Sequence, residues 1–204
     1  MKLIKTVYKT SDTVIADVVV NADNEGKTDA TEAIQTAIAK VSSVGGGTVF
    51  LPTGKYLITG EINIPSYLTL CGDRQCPETE KTAYGTVIRA KPSALGSQKP
   101  QDKPLIKLSG NSGMSGLTFY YSELDDSFSV KYGYTIYADN PVTATMKNLT
   151  FINSCYGIGV SLNSQYNEPV NLENVYGTFL YNAVAHNATT DVGFYDNVNV
   201  DCKY

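Results

Sequence analysis

Asp125 and Asp126, with Glu123 two residues before them, form the densest carboxylate group in this 204-residue chain. Hydrolysis of a glycosidic bond needs two carboxyl groups facing one bond, about 5–10 Å apart. Asp125 and Asp126 are the candidate catalytic pair on that ground; the alternative is a solvated loop. Tyr120, Tyr121, Tyr132, Tyr134 and Tyr137 gather around the same segment. Aromatic faces stack on sugar rings, which makes Tyr120, Tyr121 and Tyr132 candidate substrate contacts.

Other constellations lead less far. Asn21, Asp23, Glu25, Gly26 and Glu32 fall at positions 1, 3, 5, 6 and 12 of a calcium loop of the EF-hand kind. Position 8 is Thr28 where an apolar residue is expected, and Val18-Val19-Val20 before it reads as strand. No metal site is assigned, and calcium is the one ion kept open as a cofactor. Cys71, Cys76, Cys155 and Cys202 are too scattered for a disulfide scaffold, although Cys71 and Cys76 frame a turn and are close enough to bridge. No second pair sits at zinc spacing, and reduced, structural thiols are expected. Asn148-Leu149-Thr150 and Asn187-Ala188-Thr189 match glycosylation sequons.

The charge balance excludes some partners. Net charge is −4, with 13 Lys and Arg against 11 Asp and Glu in residues 1–110, and 3 against 9 in residues 111–204. Arginine occurs only at Arg74 and Arg89, so nucleic acid is excluded as the main partner. No apolar stretch approaches the roughly 20 residues of a transmembrane helix, and no membrane partner is expected. Met1–Thr6 is not followed by the apolar run of a secretory signal.

The elements that must position these residues follow from periodicity. Ala33, Ile34, Ala37, Ile38 and Val41 make one apolar face, predicting a single amphipathic helix over 31–43 with Ile34 and Ile38 inward and Lys40 outside. Asp29 and Glu32 have capping-box spacing, and Gly45-Gly46-Gly47 stops the helix. Short β-rich runs follow, broken at Pro52-Thr53-Gly54, Thr59-Gly60, Pro65-Ser66 and Cys71-Gly72-Asp73. Residues 91–104 read as a surface loop.

Met114–Phe119 matches Met146–Phe151 after 32 residues, and Asn148-Leu149 recurs as Asn174-Val175 and Asn197-Val198 after 26 and 23. Tyr134, Tyr156 and Tyr181 begin a second aligned line. Such steps, built of strands with Asn and Gly at corners, mean an all-β parallel solenoid. Asn148, Asn174 and Asn197 are expected to form a corner ladder with Leu149, Val175 and Val198 stacked inward. Asp139, Ser161 and His186 each follow an aligned tyrosine by five residues. Stacked in that order they leave the aspartate two rises, roughly 9–10 Å, from the imidazole, so a polar ladder is expected and not a catalytic triad. No coil buries its apolar face alone, and the helix serves as the N-terminal lid. Residues 1–204 read as one domain, with the N-terminal strand and capping helix in 1–47 and coils in 48–204. Nothing after Val198 and Val200 resembles a second lid, so further coils or another subunit are expected over that end.

Asn24–Gln35, then Gly45–Tyr56, then Leu68–Asp73 together resemble the N-terminal signature of the pectate-lyase superfamily, the pectate lyase 3-like right-handed parallel β-helix proteins. The departures are Asn24-Glu25 and Ala30, where that family has Asp. The resemblance implies a polysaccharide partner, an extracellular or cell- or virion-surface setting, and either a glycoside hydrolase or lyase or a non-catalytic glycan-binding shaft of the tailspike or adhesin kind. In some β-helix hydrolases adjacent residues supply the carboxyl pair, the role the resemblance leaves to Asp125 and Asp126. The polygalacturonase set departs here: His186 is flanked by Ala185 and Asn187, and Arg89-Ala90-Lys91 comes too early. A uronan lyase or epimerase needs a cation to stabilise the uronate, and the acidic second half, which has no arginine, argues against one there.

Overall fold

The computed structural model describes residues 2–4, 14–73, 85–124, 130–139, 143–163, 169–187 and 193–202. Two short strands, β1 (Lys2–Ile4) and β2 (Val14–Ala16), pair antiparallel at the N-terminus. The other described strands pair parallel in one continuous sheet wound into coils. They are β3 (Val18–Val19), β4 (Glu25–Asp29), β5 (Gly47–Leu51), β6 (Gly54–Ile58), β7 (Ile62–Ile64), β8 (Leu68–Gly72) and β9 (Thr86–Ala90). After these come β10 (Ile106–Leu108), β11 (Ser112–Tyr120), β12 (Tyr134–Ala138), β13 (Ala144–Val160), β14 (Val170–His186) and β15 (Phe194–Cys202).

The coil has three sides. One column runs β3, β5, β8, β11, β13, β14, β15; a second runs β4, β6, β9, β11; a third runs β7, β10, β12, β13. Strand β11 belongs to two columns because it bends: Gly113–Ser115 pair with β8, and Leu117–Tyr120 pair with β9. The bend falls at Gly116, with φ 68°. The equivalent corners of the next coils hold Asn148, Asn174 and Asn197 at φ 52°, 53° and 50°. Asparagine is among the few side chains that enter this left-handed region readily, because its short amide bonds locally. Here the amides bond to one another: Asn174 Nδ2 donates to Asn148 Oδ1 at 3.0 Å, and Asn197 Nδ2 to Asn174 Oδ1 at 2.7 Å. The expected ladder is present, with Leu149 paired to Val175 and Val175 to Val198 behind it.

The core fills the coil. Leu117, Leu149 and Val175 stack in one column, and Phe119, Phe151 and Phe179 in another with ring centroids 5.2 Å apart at each step. Phe151 pairs in register with Gly177, but a register shift around Ser154 brings Phe179 onto Phe151 instead. The pairing corrects the second aligned line. Tyr156 pairs with Asn182, one residue after Tyr181; the register that pairs Phe151 with Gly177 is regained at Tyr156 after a local irregularity at Ser154.

The lid is helix α1 (Thr31–Ser42), with Ile34, Ile38 and Val41 buried against β3, β5 and β7 and Lys40 exposed. Its start corrects the capping box. Ala30, not Asp29, is the cap, with no side-chain cap bond, and Glu32 is exposed. The Ala30 N–H is taken by Leu57 C=O at 2.8 Å, so the strand path of β4 runs one residue further than capping spacing assumes. Asp29 Oδ1 accepts from the Thr31 N–H at 3.0 Å and hydroxyl at 2.6 Å, while Oδ2 accepts from the Thr59 hydroxyl. It ties the lid to the end of β6. Gly46, just after the helix, has φ +112°, and a Cβ there would lie 2.2 Å from Tyr67 O; glycine is required on both counts.

The 91–104 loop is more than surface covering. It carries a single 3₁₀ turn, Pro100–Asp102, and a buried Leu95 whose N–H donates to Lys131 O at 2.7 Å. At the other end, β15 pairs with β14 alone among the described strands, and Phe194, Tyr195 and Val200 are exposed there.

Candidate functional site

Asp125 and Asp126 lie outside the described residues. Glu123 is described, exposed, and paired with Lys91 at 2.6 Å. The tyrosines separate into two kinds. Tyr121 is 1% exposed, its hydroxyl bonds Thr135 Oγ1 at 2.9 Å, and its ring lies 5.6 Å from that of Tyr132. Tyr132 is also buried, and its N–H donates to Cys155 Sγ at 3.4 Å. Burial pushes the Tyr121 hydroxyl well above its ordinary pKa, so it stays protonated. Neither ring has a face open to a sugar. The expectation fails for these two because tertiary packing against Thr135 and Cys155 closes over them.

Tyr120 differs. Phe119 points into the core, so Tyr120, next along β11, points outward. It is half-buried and pairs in register with Arg89 on one side and Ile152 on the other. On β9, Ile88 and Ala90 are in the core, which puts Arg89 on the outer face too. On β6, Tyr56 and Ile58 are in the core, so Lys55 and Leu57 face out, and Leu57 pairs with Arg89. Lys55, Arg89 and Tyr120 thus occupy one outer sheet face on strands about 4.8 Å apart. Arg89 Nη1 donates to Gly26 O at 3.4 Å. Gly26 has φ +74°, and a Cβ there would stand 3.2 Å from that guanidinium nitrogen. Sequence reasoning missed Lys55 and Arg89. They lie 34 residues apart, and the signal available was their shared outward parity on strands whose inward residues are apolar.

Tyr134, Tyr156 and Tyr181 do stack on successive coils, with centroids 5.3 Å apart at each step, and the Lys131 ammonium sits 4.7 Å over the Tyr181 ring. Tyr137 is buried and donates to Asp139 Oδ1 at 3.2 Å; burial first, then the Asp139 charge, pushes its pKa up to about 12. Asp139, Ser161 and His186 do not assemble. Val160, not Ser161, pairs with His186, and Ser161 is buried, not part of an outer ladder. His186 Nδ1 bonds Tyr195 OH at 2.8 Å, and burial lowers the imidazole pKa, which keeps it neutral at pH 7.

Asp23 is occupied by its own loop, accepting N–H bonds from Glu25 at 3.0 Å and from Lys27 and Thr28 at 2.6 Å each. Those bonds, Glu25 first, hold its carboxyl below the usual range. Cys71, Cys155 and Cys202 are free thiols, and burial pushes Cys71 and Cys155 up. Cys76 lies outside the described residues. The Asn148 amide oxygen accepts in the ladder and Thr150 is buried, so this sequon's residues serve the corner of the coil.

Residues 18–100 match the family described as rhamnogalacturonase A/epimerase, pectate lyase-like. A 39-residue segment is 54% identical to alginate lyase 7 of Azotobacter vinelandii. In fold the chain is similar to the A-module of a mannuronan C-5 epimerase from Azotobacter vinelandii, with TM-score 0.52 and 16% identity over 85% of the chain. It is also similar to the ORF18 protein of Geobacillus virus E2, with TM-score 0.51 and 15% identity over 87% of the chain. The chain spans 53% and 39% of those two structures, and the alginate lyase segment is 19% of this chain and 5% of that protein. Across residues 18–100 the sequence carries the pectate-lyase-like signature, and the described chain has the right-handed, pectate-lyase-like parallel β-helix fold.

Proposed function

We propose that this protein binds or acts on polysaccharide along the outside of its coils, in an extracellular setting or at a cell or virion surface. The observation that carries the reading is Tyr120, an aromatic side chain held outward beside Arg89 on the face of a stacked parallel sheet. A coil stack repeats its surface at each turn, which suits a polymer of repeating units. The segment similar to an alginate lyase, and the fold likeness to a mannuronan epimerase module, support a polysaccharide as the ligand. In the enzymatic form of the reading, Asp125 and Asp126 serve as the acid and base. Glu123 begins the same carboxylate group and is paired with Lys91. A second form, a non-catalytic glycan-binding shaft, is favoured by the dispersal of Asp139, Ser161 and His186. Incubation with a panel of polysaccharides, reading new reducing ends, unsaturated uronates and retention on each polymer, tests both. Products that vanish in Asp125→Asn/Asp126→Asn indicate the enzyme, and retention without products indicates the shaft. Neither retention nor products on any polymer contradicts the proposal.

A further inference from the structure

We propose that two copies of this chain meet end to end through β15, each closing the other's open coil in a two-fold contact. The inference stands apart from the polysaccharide reading and starts from the inward row of that strand. Tyr195, Val198 and Cys202 pair with Leu172, Val175 and Phe179, all buried in the coil below. Val200 shares their parity, so these four side chains continue the core side of the stack. No described strand lies beyond them. With Ala183 and Val184 of β14 they line an open hollow of about 550 Å³. Phe194, Tyr195 and Val200 are 64%, 47% and 42% exposed, and the only other large hydrophobic side chains exposed among the described residues are Val44 and Tyr67. Exposed apolar surface is thus gathered at this end, as at an interaction site, and not scattered.

Shape and symmetry select a second copy as the occupant. The hollow is walled by small side chains and by Tyr195, which His186 Nδ1 holds in place at 2.8 Å. Phe194, next to Tyr195, is an exposed aromatic knob. A surface that carries both a knob and a hollow is complementary to itself, and a two-fold axis sets each knob against the other copy's hollow. The opposite end of the stack cannot serve, because α1 closes it with Ile34, Ile38 and Val41 buried. The open coil end that a second copy can offer is therefore its own β15. Two-fold symmetry runs the two free edges antiparallel, where unpaired N–H and C=O groups can bond directly. Asp196, Asn199 and Asp201 alternate with the inward row and face away from the coil interior, so no carboxylate has to be buried. Those carboxylates rim both copies, and salt that screens them should strengthen the contact.

The test is sedimentation velocity of the whole chain from about 1 to 200 μM, at low and added salt, with Val200→Glu and Phe194→Ser beside the wild type. Expected is a reversible dimer with Kd on the order of 10 μM, tighter in salt. Either variant should weaken it by roughly tenfold or more at an unchanged melting point, since both positions are exposed. Hydrogen exchange of the wild type should slow at residues 194–202 as concentration rises, with α1 unaffected. That measurement decides alone if a variant melts early, and no slowing at 194–202 would overturn the inference. A monomer throughout the range would overturn it. A dimer that both variants leave intact would place the contact elsewhere and overturn it as well. Masses that climb past the dimer without a plateau would mean open-ended growth along the edge, which also contradicts two-fold closure.

Discussion

Replacing Asn174 with alanine removes two hydrogen bonds from the middle of the corner ladder, the one it donates to Asn148 and the one it accepts from Asn197. Each is worth about 1 kcal/mol net. The residue also holds φ 53°, where a β-carbon without a local polar partner costs about 1 kcal/mol more. Together Asn174→Ala should destabilise by about 3 kcal/mol. Asn174→Gly loses the same bonds but accepts the left-handed backbone, so its cost should be about 2 kcal/mol. In a chain of this length those losses correspond to melting shifts of roughly 6–12 °C and 4–8 °C. Urea denaturation followed by circular dichroism reads the difference as a change in midpoint at constant slope. Equal costs for alanine and glycine would refute the backbone component. Costs below about 0.5 kcal/mol in both would refute the ladder as a stabilising element.

Ile38→Asp buries an unpaired carboxylate under the lid and should cost on the order of 4 kcal/mol, whereas exposed Lys40→Asp should leave the melt within about 0.5 kcal/mol. Gly46→Ala should destabilise by at least about 2 kcal/mol, because the strained φ and the clash with Tyr67 O add; an unchanged melt would contradict the close approach. Burial pushes the Asp29 carboxyl up, but the hydroxyl and N–H bonds from Thr31 and Thr59 outweigh it and leave the pKa below 3.8. A depressed folded pKa gives stability that is present above the unfolded value and lost as pH falls through the folded one, so stability should decline below about pH 4, with a flatter acid limb in Asp29→Asn on the same titration. Tyr121→Phe should lose about 1 kcal/mol with its bond to Thr135 and leave glycan retention unchanged.

Much of the fold was legible in the chain because its determinants are local to each coil. Met114–Phe119 and Met146–Phe151 align residue for residue, since inward apolar side chains and a left-handed corner impose the same pattern on each turn. The second line slipped by one residue at Tyr181 because the tyrosine spacing follows the ring stack of Tyr156 on Tyr181, whereas the backbone register carried on from the pairing of Phe151 with Gly177 sets Tyr156 opposite Asn182. The cap slipped by one at Asp29 because the Ala30 N–H is claimed by Leu57, a partner 27 residues away. The candidate site was less legible. Tyr120, Tyr121 and Tyr132 look alike in the sequence, and only packing against Thr135 and Cys155 separates the buried pair from the outward ring. Lys55 and Arg89 come to the same sheet face through the pairing of β6 with β9, which sets Lys55 opposite Val87 and Leu57 opposite Arg89, a placement that no local pattern encodes.

The most direct test is binding of one retained polysaccharide by the wild type, Tyr120→Ala and Tyr121→Phe under identical conditions, with a melt of each. The outward-ring account expects Tyr120→Ala to lose roughly tenfold in affinity at an unchanged melting point, consistent with a lost stacking contact, and Tyr121→Phe to bind as the wild type does. Equal affinities for Tyr120→Ala and the wild type, or loss of binding in Tyr121→Phe alone, would contradict it.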